Sequence, residues 1–379
     1  MFVSVNLSGI LILFIVLQVD NIRCKSITVE CDKNQQNYCS IVPSSIDLPV
    51  ENTFYFINPN YYLHAMETIL EIRPYQTSNI VSIDSIFDYF PKLEQLIISN
   101  SLNKIPFMRA ASQTLQLVNF RQNFIKNITK FAFDGAPNLE RIDLSSNSIR
   151  SIENQAFAKL DRLTSIRLEN NKLGSLHSHT FVGAKSLVYI NLRNNYITTI
   201  ANGCFALKYL NELILAENRL DIIPDTIFNG AENLKKISFA HNKIKVIDVI
   251  AVAQSAPIEM LNFEDNELAW FEKQSINCTE TPNNQLKNLN LAKNKLKSGN
   301  ILDRLKCLQR IEMLNLNSND FTTFENISDL RIYFPHLSVI YLINNKIQCD
   351  WLKNTAFDTS LIYTRSNRRK LTVHNIECL

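Results

Sequence analysis

One asparagine returns through this chain at a nearly constant interval. Asn123, Asn147, Asn171, Asn195, Asn218, Asn242, Asn266, Asn294, Asn319 and Asn345 are separated by 24, 24, 24, 23, 24, 24, 28, 25 and 26 residues. Around each of them apolar residues keep fixed offsets in the pattern L-x-x-L-x-L-x-x-N-x-L-x-x-L, as at Leu139, Ile142, Leu144, Asn147, Ile149 and Ile152. A unit this short cannot bury its own apolar side, so a core closes only when such units stack on one another.

Ten tandem matches make this a leucine-rich repeat, and the predicted architecture is a right-handed α/β solenoid. Alternation at Ile142 and Leu144 makes a short strand with one face inward, and stacking aligns the strands into a parallel sheet on the concave side. Loops and short helices return along the convex side. Counting the leading leucine of each repeat as residue one, Phe133, Phe157, Phe181, Phe205 and Phe228 all fall nineteenth and are expected to stack inside the convex half. The asparagine is ninth. There the strand turns away and leaves backbone N–H and C=O groups facing the core, and a buried amide carries both donors and an acceptor for them. The ten asparagines are therefore read as a structural ladder and not as ligand-binding amides.

The expected organisation is a signal peptide over residues 1–20, an N-terminal cap with irregular first repeats over 21–90, repeats over 91–347 and a C-terminal cap over 348–379. The apolar run from Leu7 to Leu17 fits a secretory leader and is too short for a membrane span. No later stretch is apolar for long enough to cross a bilayer. Cysteine usage points to the same extracellular compartment. Cys31 and Cys39 flank a polar turn ahead of the repeats, and Cys349 and Cys378 bracket the C-terminal cap. Cys278 and Cys307 fall at residues 21 and 22 of successive repeats, so three disulfides are expected. Cys204 reads as a buried thiol and Cys24 as a candidate link to another chain. Sequons at Asn127, Asn277 and Asn326 are candidate glycan acceptors, all outside the expected concave strands.

No H-E-x-x-H, G-x-S-x-G, C-x-x-C or Walker pattern occurs, so neither an enzyme nor a cofactor is expected. His177 and His179 lack a predictable third ligand, and no metal is assigned. With 20% charged residues and a formal net charge of +3, the composition gives no hint of nucleic acid as a partner. The binding candidates lie on outward strand positions. Arg121, Arg141, Arg167, Glu169, Tyr189, Arg193 and Glu212 form a mixed surface, with Arg121, Arg167, Tyr189 and Arg193 as its contact candidates. Met313, Val339, Tyr341 and Ile343 form a less polar cluster near the end, open either to a partner or to coverage by the cap. The repeat from Ile258 is acidic between basic neighbours. Its expected columns are Lys235, Glu259 and Lys287; His241, Asp265 and Lys293; and Lys243, Glu267 and Lys295, read as internal ion pairs.

The repeats together with the leader ITVECDKNQQNYCSI and the single-cysteine cap stretch NKIQCDWL resemble secreted leucine-rich repeat proteins of insects, and among them the mosquito leucine-rich immune family. That resemblance implies a blood-borne recognition protein that binds a protein or glycan on its concave face or C-terminal end. A complement-like thioester protein is the partner it suggests. Many members continue into a coiled coil, whereas this sequence ends at Cys378-Leu379 without heptads, which resembles a coil-less type. The alternative reading is an extracellular adhesion or matrix protein.

Overall fold

The computed structural model describes the backbone at residues 27–32, 38–43 and 69–72, and then residues 92–100, 102–106, 108, 113–224, 227–271, 284–297, 299–354, 359–363, 372–373 and 376–377. It divides into two compact units, one of Met1–Gly174 with His179–Asn191 and one of Ser175–Ser178 with Leu192–Leu379. Each is a solenoid of short parallel strands with one main strand per repeat. Further two-residue strands pair parallel beyond the asparagine, Asn127–Ile128 with Ser151–Ile152 in the first unit, and Ser175–Leu176 with Thr199–Ile200 and Val246–Ile247 with Trp270–Phe271 in the second.

In the first unit Ile27–Asp32 and Tyr38–Pro43 pair antiparallel, with Cys31 directly opposite Cys39. Tyr38–Pro43 then runs parallel to Ile69–Ile72, which pairs with Gln95–Ile98. Leu117–Asn119, Arg141–Asp143, Ser165–Arg167 and Tyr189–Asn191 follow in strict register, so that Leu117, Arg141, Ser165 and Tyr189 share one column. The parallel ladder thus begins at Tyr38, inside the segment expected as a cap and irregular first repeats. Leu117–Asn119, Arg141–Asp143, Ser165–Arg167 and Tyr189–Asn191 each bury the middle residue, Val118, Ile142, Ile166 and Ile190, and turn its neighbours outward. Phe133, Phe157 and Phe181 stack on the return side with ring centroids 6.1 and 6.0 Å apart and planes within 11°. Gly183 belongs to this packing: its φ is +100°, and a Cβ there would lie 2.6 Å from the Ala158 Cα. Only glycine fits that approach.

In the second unit Glu212–Ile214, Lys236–Ser238, Met260–Asn262, Asn288–Asn290, Met313–Asn315, Val339–Tyr341 and Ile362–Tyr363 pair in parallel, in that order. Phe205 and Phe228 stack at 6.3 Å, after which the nineteenth-position phenylalanines stop. Short helices fill their place. The helix Val249–Ser255 buries Val249, Val252 and Ala253, and Ile301–Leu305 buries Ile301, Leu302 and Leu305. The change is written at Asp248, whose carboxylate caps the first of these helices by accepting the N–H groups of Ile250 and Ala251 at 3.0 and 2.9 Å. Aromatic filling moves to the sixth position of the repeat, where Phe239 and Phe263 stack at 5.3 Å.

Candidate interaction surfaces

The outward residues are held in place by the polar interior. Asn147 shows the arrangement: its Nδ2 donates to the carbonyls of Phe120 (2.8 Å), Leu144 (3.0 Å) and Ser145 (3.2 Å), while its Oδ1 accepts the N–H of Ile125 (3.1 Å). Each such amide ties its own repeat to the one before. Asn123 and Asn171 do the same in the first unit, and Asn218, Asn242, Asn266, Asn294 and Asn319 in the second. Asn195 is likewise buried and donates to Leu192 and Arg193. Asn345 departs from full burial. It is half-exposed, although it still donates to Leu316 and Leu342 and accepts from Phe321.

The residue just before the asparagine carries a left-handed backbone, with φ between 53 and 58° at Gln122, Ser146 and Asn170 in the first unit and at Asn194, Glu217, His241, Asp265, Lys293, Ser318 and Asn344 in the second. Such a conformation costs a side-chain-bearing residue roughly 1–2 kcal/mol. Rung-to-rung hydrogen bonds from these same residues offset it, such as the Ser146 N–H to the Glu169 carbonyl at 2.8 Å and the His241 N–H to the Glu264 carbonyl at 2.8 Å. The twist turns the amide inward and its predecessor outward. The sequence signal for it is the asparagine at Asn170, Asn194 and Asn344, a residue that tolerates this region.

On the outward strand face of the first unit, Arg141, Ser165 and Tyr189 occupy one column and Asn119, Asp143 and Arg167 another. The Arg167 guanidinium lies 5.9 Å from the Tyr189 ring centroid. Glu169 stands among these charges with its Oε2 buried and without a hydrogen-bond partner among the described residues. Burial pushes its carboxyl above the ordinary value and Asp143 adds to the rise, while a hydrogen bond from its own backbone N–H, and then Arg167 and Arg121, act against it. Arg193 belongs to the second unit, where it pairs with Glu217. Arg121, Arg167 and Tyr189 all belong to the first unit.

In the second unit the expected charge columns form with one correction. Glu259 sits 2.9 Å from Lys235 and 3.8 Å from Lys287, and the hydrogen bond from Lys235 holds its carboxyl below the usual value. His241 Nδ1 lies 2.7 Å from Asp265, and Lys295 lies 3.2 Å from Glu267. Lys293, expected on Asp265, instead pairs with Glu264 at 2.7 Å. Glu264 occupies the seventh position of the preceding repeat, one residue before Asp265, which is already held by His241. Lys243 has no ion pair with Glu267 among the described residues.

A second amide column lies outside the core. Asn262, Asn290 and Asn315 stand in register, and each Oδ1 accepts the N–H two residues on, from Glu264, Ala292 and Asn317 respectively. Asn119 and Asp143 make the same turn in the first unit. Sequence reading missed these residues, although the repeated asparagine at the fifth position was there to be aligned.

At the last rungs Met313 stands next to Val339, and Asn315 next to Tyr341. Met313 is 38% exposed, and Val339, Tyr341 and Ile343 are half-buried. The Ile343 N–H is held by the Asn317 side chain at 2.6 Å. Ile362–Tyr363 extends the ladder sideways, with Tyr363 next to Tyr341.

Cys307 is disulfide-bonded, whereas Cys278 lies outside the described residues, as do the Cys349 side chain, Cys378 and Cys24. Cys204 is a buried thiol. Asn127 and Asn326 are exposed and Asn277 lies outside the described residues. His177 and His179 are exposed, and no group of potential metal ligands occurs among the described residues. Among those residues no helix is long and apolar enough to cross a membrane.

Two family models match the sequence. One, described as a leucine rich repeat, covers residues 113–173, and the other, a BspA type leucine rich repeat region, covers 150–275 and 198–301. Compared with curated proteins, the sequence matches none. Solved structures match the fold. The leucine-rich repeat domain of mosquito APL1B aligns with a TM-score of 0.63 at 18% identity, covering 84% of this chain and 87% of that one. A leucine-rich repeat protein of Leptospira interrogans aligns at 0.59 and 20% identity, covering 76% and 75%. Toll from Drosophila, in its complex with Spatzle, aligns at 0.54 and 16% identity, covering 88% of this chain and 54% of that one. At these identities the likeness is one of fold. With the repeat signature and the strand register, it makes this chain a leucine-rich repeat protein.

Proposed function

We propose that the chain is a secreted, glycosylated binding protein of innate immunity, without enzymatic activity, that recognises a protein or glycan in body fluid through the outward residues of its last rungs. The carrying observation is the placement of Met313, Val339, Tyr341 and Ile343 on adjacent outward positions. The strand that follows them joins the ladder at its edge, beside Tyr341. A cluster of apolar and aromatic side chains on an ordered face supplies contact area at low entropic cost. A complement-like thioester protein is the partner class that the family resemblance suggests. The surface around Arg121, Arg167 and Tyr189 is the next candidate.

Capture from body fluid with wild-type and Tyr341→Glu protein tests the reading. The variant is expected to lose the captured partner while melting with the wild type. Equal capture by both would remove this end from the binding surface and direct attention to Arg167 and Tyr189. A large drop in melting temperature would instead show that Tyr341 is buried, since a charge there would be stranded.

A further inference from the structure

The tenth and twelfth residues of each repeat flank the buried eleventh, so both face solvent along the edge where the strand turns away. In the second unit this edge is basic. Arg219, Lys243, Lys245, Lys295, Lys297 and Lys346 are all exposed there. Against these six cations stand three carboxylates, Asp221, Glu267 and Asp320, leaving a surplus of three. On the outward strand face of the same unit, five lysines and arginines meet six carboxylates. A formal net charge of +3 for the whole 379-residue chain conceals this asymmetry.

The edge is also ordered. Backbone hydrogen bonds run from rung to rung along it, from the Lys243 N–H to Leu220, Glu267 to Ile244, Lys295 to Leu268 and Asp320 to Leu296, at 2.8 to 3.0 Å. Rungs in a parallel ladder are about 4.8 Å apart, so Lys243 and Lys245 stand roughly 10 Å from Lys295 and Lys297. Lys295 and Lys346 are engaged by Glu267 at 3.2 Å and Asp320 at 2.6 Å. Lys243, Lys245 and Lys297 have no ion-pair partner among the described residues. Ala269 separates Lys245 from Lys297 with a short, neutral side chain.

We propose that this edge binds a linear sulfated polysaccharide, laid across the rungs with its anionic groups on Lys243, Lys245 and Lys297. The exposed side chains of Thr198, Thr322 and Gln348 lie in the same columns and supply hydrogen-bonding groups for sugar hydroxyls. A nucleic acid fits less well, because single strands need open aromatic platforms for their bases. The Tyr196 ring in these columns is already covered by the Arg219 guanidinium at 4.2 Å. This surface is separate from the last-rung contact proposed above and stands or falls independently of it.

The probe is heparin, and the protein is the full secreted chain. Wild type is expected to be retained on immobilised heparin at physiological salt. The variant K243Q/K245Q/K297Q should lose retention while melting like wild type, and its slope of log affinity against log salt should fall in magnitude by about two. A control, K104Q/K185Q/K236Q, removes as many exposed lysines from other positions and should bind as wild type does. Tyr341→Glu should also bind heparin normally, which keeps failure here distinct from failure of the last-rung reading. Unchanged retention of the edge variant would overturn the proposal, and so would an equal loss in the control. Displacement of heparin by single-stranded RNA at a lower charge-equivalent concentration would overturn it in favour of a nucleic acid.

Discussion

The ninth and tenth residues of each repeat are neighbours in the chain and opposites in behaviour. The ninth is asparagine ten times over, whereas the tenth runs through Phe124, Ser148, Lys172, Tyr196, Arg219, Lys243, Glu267, Lys295, Asp320 and Lys346. One side chain points inward to backbone groups that have no other partner, and the other points to water. The difference teaches that stacking fixes the chemistry of the inward positions and leaves the outward ones open to whatever the protein binds.

That contrast can be broken or sharpened by substitution. The largest effect is expected on the return side, where Phe157 is fully buried between Phe133 and Phe181. Phe157→Ala should cost about 3–5 kcal/mol in urea unfolding, and a loss below about 1 kcal/mol would show that the aromatic stack closes up without it. Asp248→Ala should cost about 1 kcal/mol, the ordinary value for removing a helix cap. A melting curve identical to wild type would mean that the helix Val249–Ser255 is held by its apolar face alone.

Glu169 gives the smallest and the most informative change, because it is an outward residue that behaves as an interior one. Burial and Asp143 raise its carboxyl pKa above 4.5 in the folded protein, so the fold binds this proton more tightly than the unfolded chain does. The penalty for ionisation is absent below the unfolded value and complete above the raised one. Glu169→Gln should therefore raise the melting temperature at pH 7, with the gain shrinking as pH falls through the ordinary carboxylate range. A variant less stable than wild type at pH 7 would mean that the backbone hydrogen bond to the carboxylate, with Arg167 and Arg121, outweighs the burial.

Much of this was legible in the sequence because the repeat supplies its own alignment. The asparagine column, the nineteenth-position phenylalanines and the pairing of Lys235 and Lys287 with Glu259 all follow from stacking residues at equal offsets. Three features were not read that way. The left-handed eighth residue is a backbone property that Glu217 and Lys293 do not advertise, and stacking equal offsets paired Lys293 with Asp265, whereas it reaches the seventh-position Glu264. The ladder starts at Tyr38 because strands can pair without the asparagine that marks later repeats. The basic edge vanished into the net charge, since a sum over the chain carries no information on which side of a rung each lysine stands. Of the binding surface, the outward positions were legible but not their exposure: Val339 and Tyr341 are half-buried, with Met313 beside the first and Asn315 and Tyr363 beside the second.

The most direct test uses two adjacent residues. Asn242 holds the Leu220 N–H at 3.0 Å and donates to the carbonyls of Leu215, Phe239 and Ala240, while Lys243 beside it is exposed. Urea unfolding of Asn242→Ala and Lys243→Ala compares the two positions in one background. Asn242→Ala should lose at least about 1–3 kcal/mol by stranding buried backbone groups, and Lys243→Ala should stay within about 0.5 kcal/mol of wild type. Equal losses in the two variants would contradict the division between an interior that holds the fold and a surface free to bind.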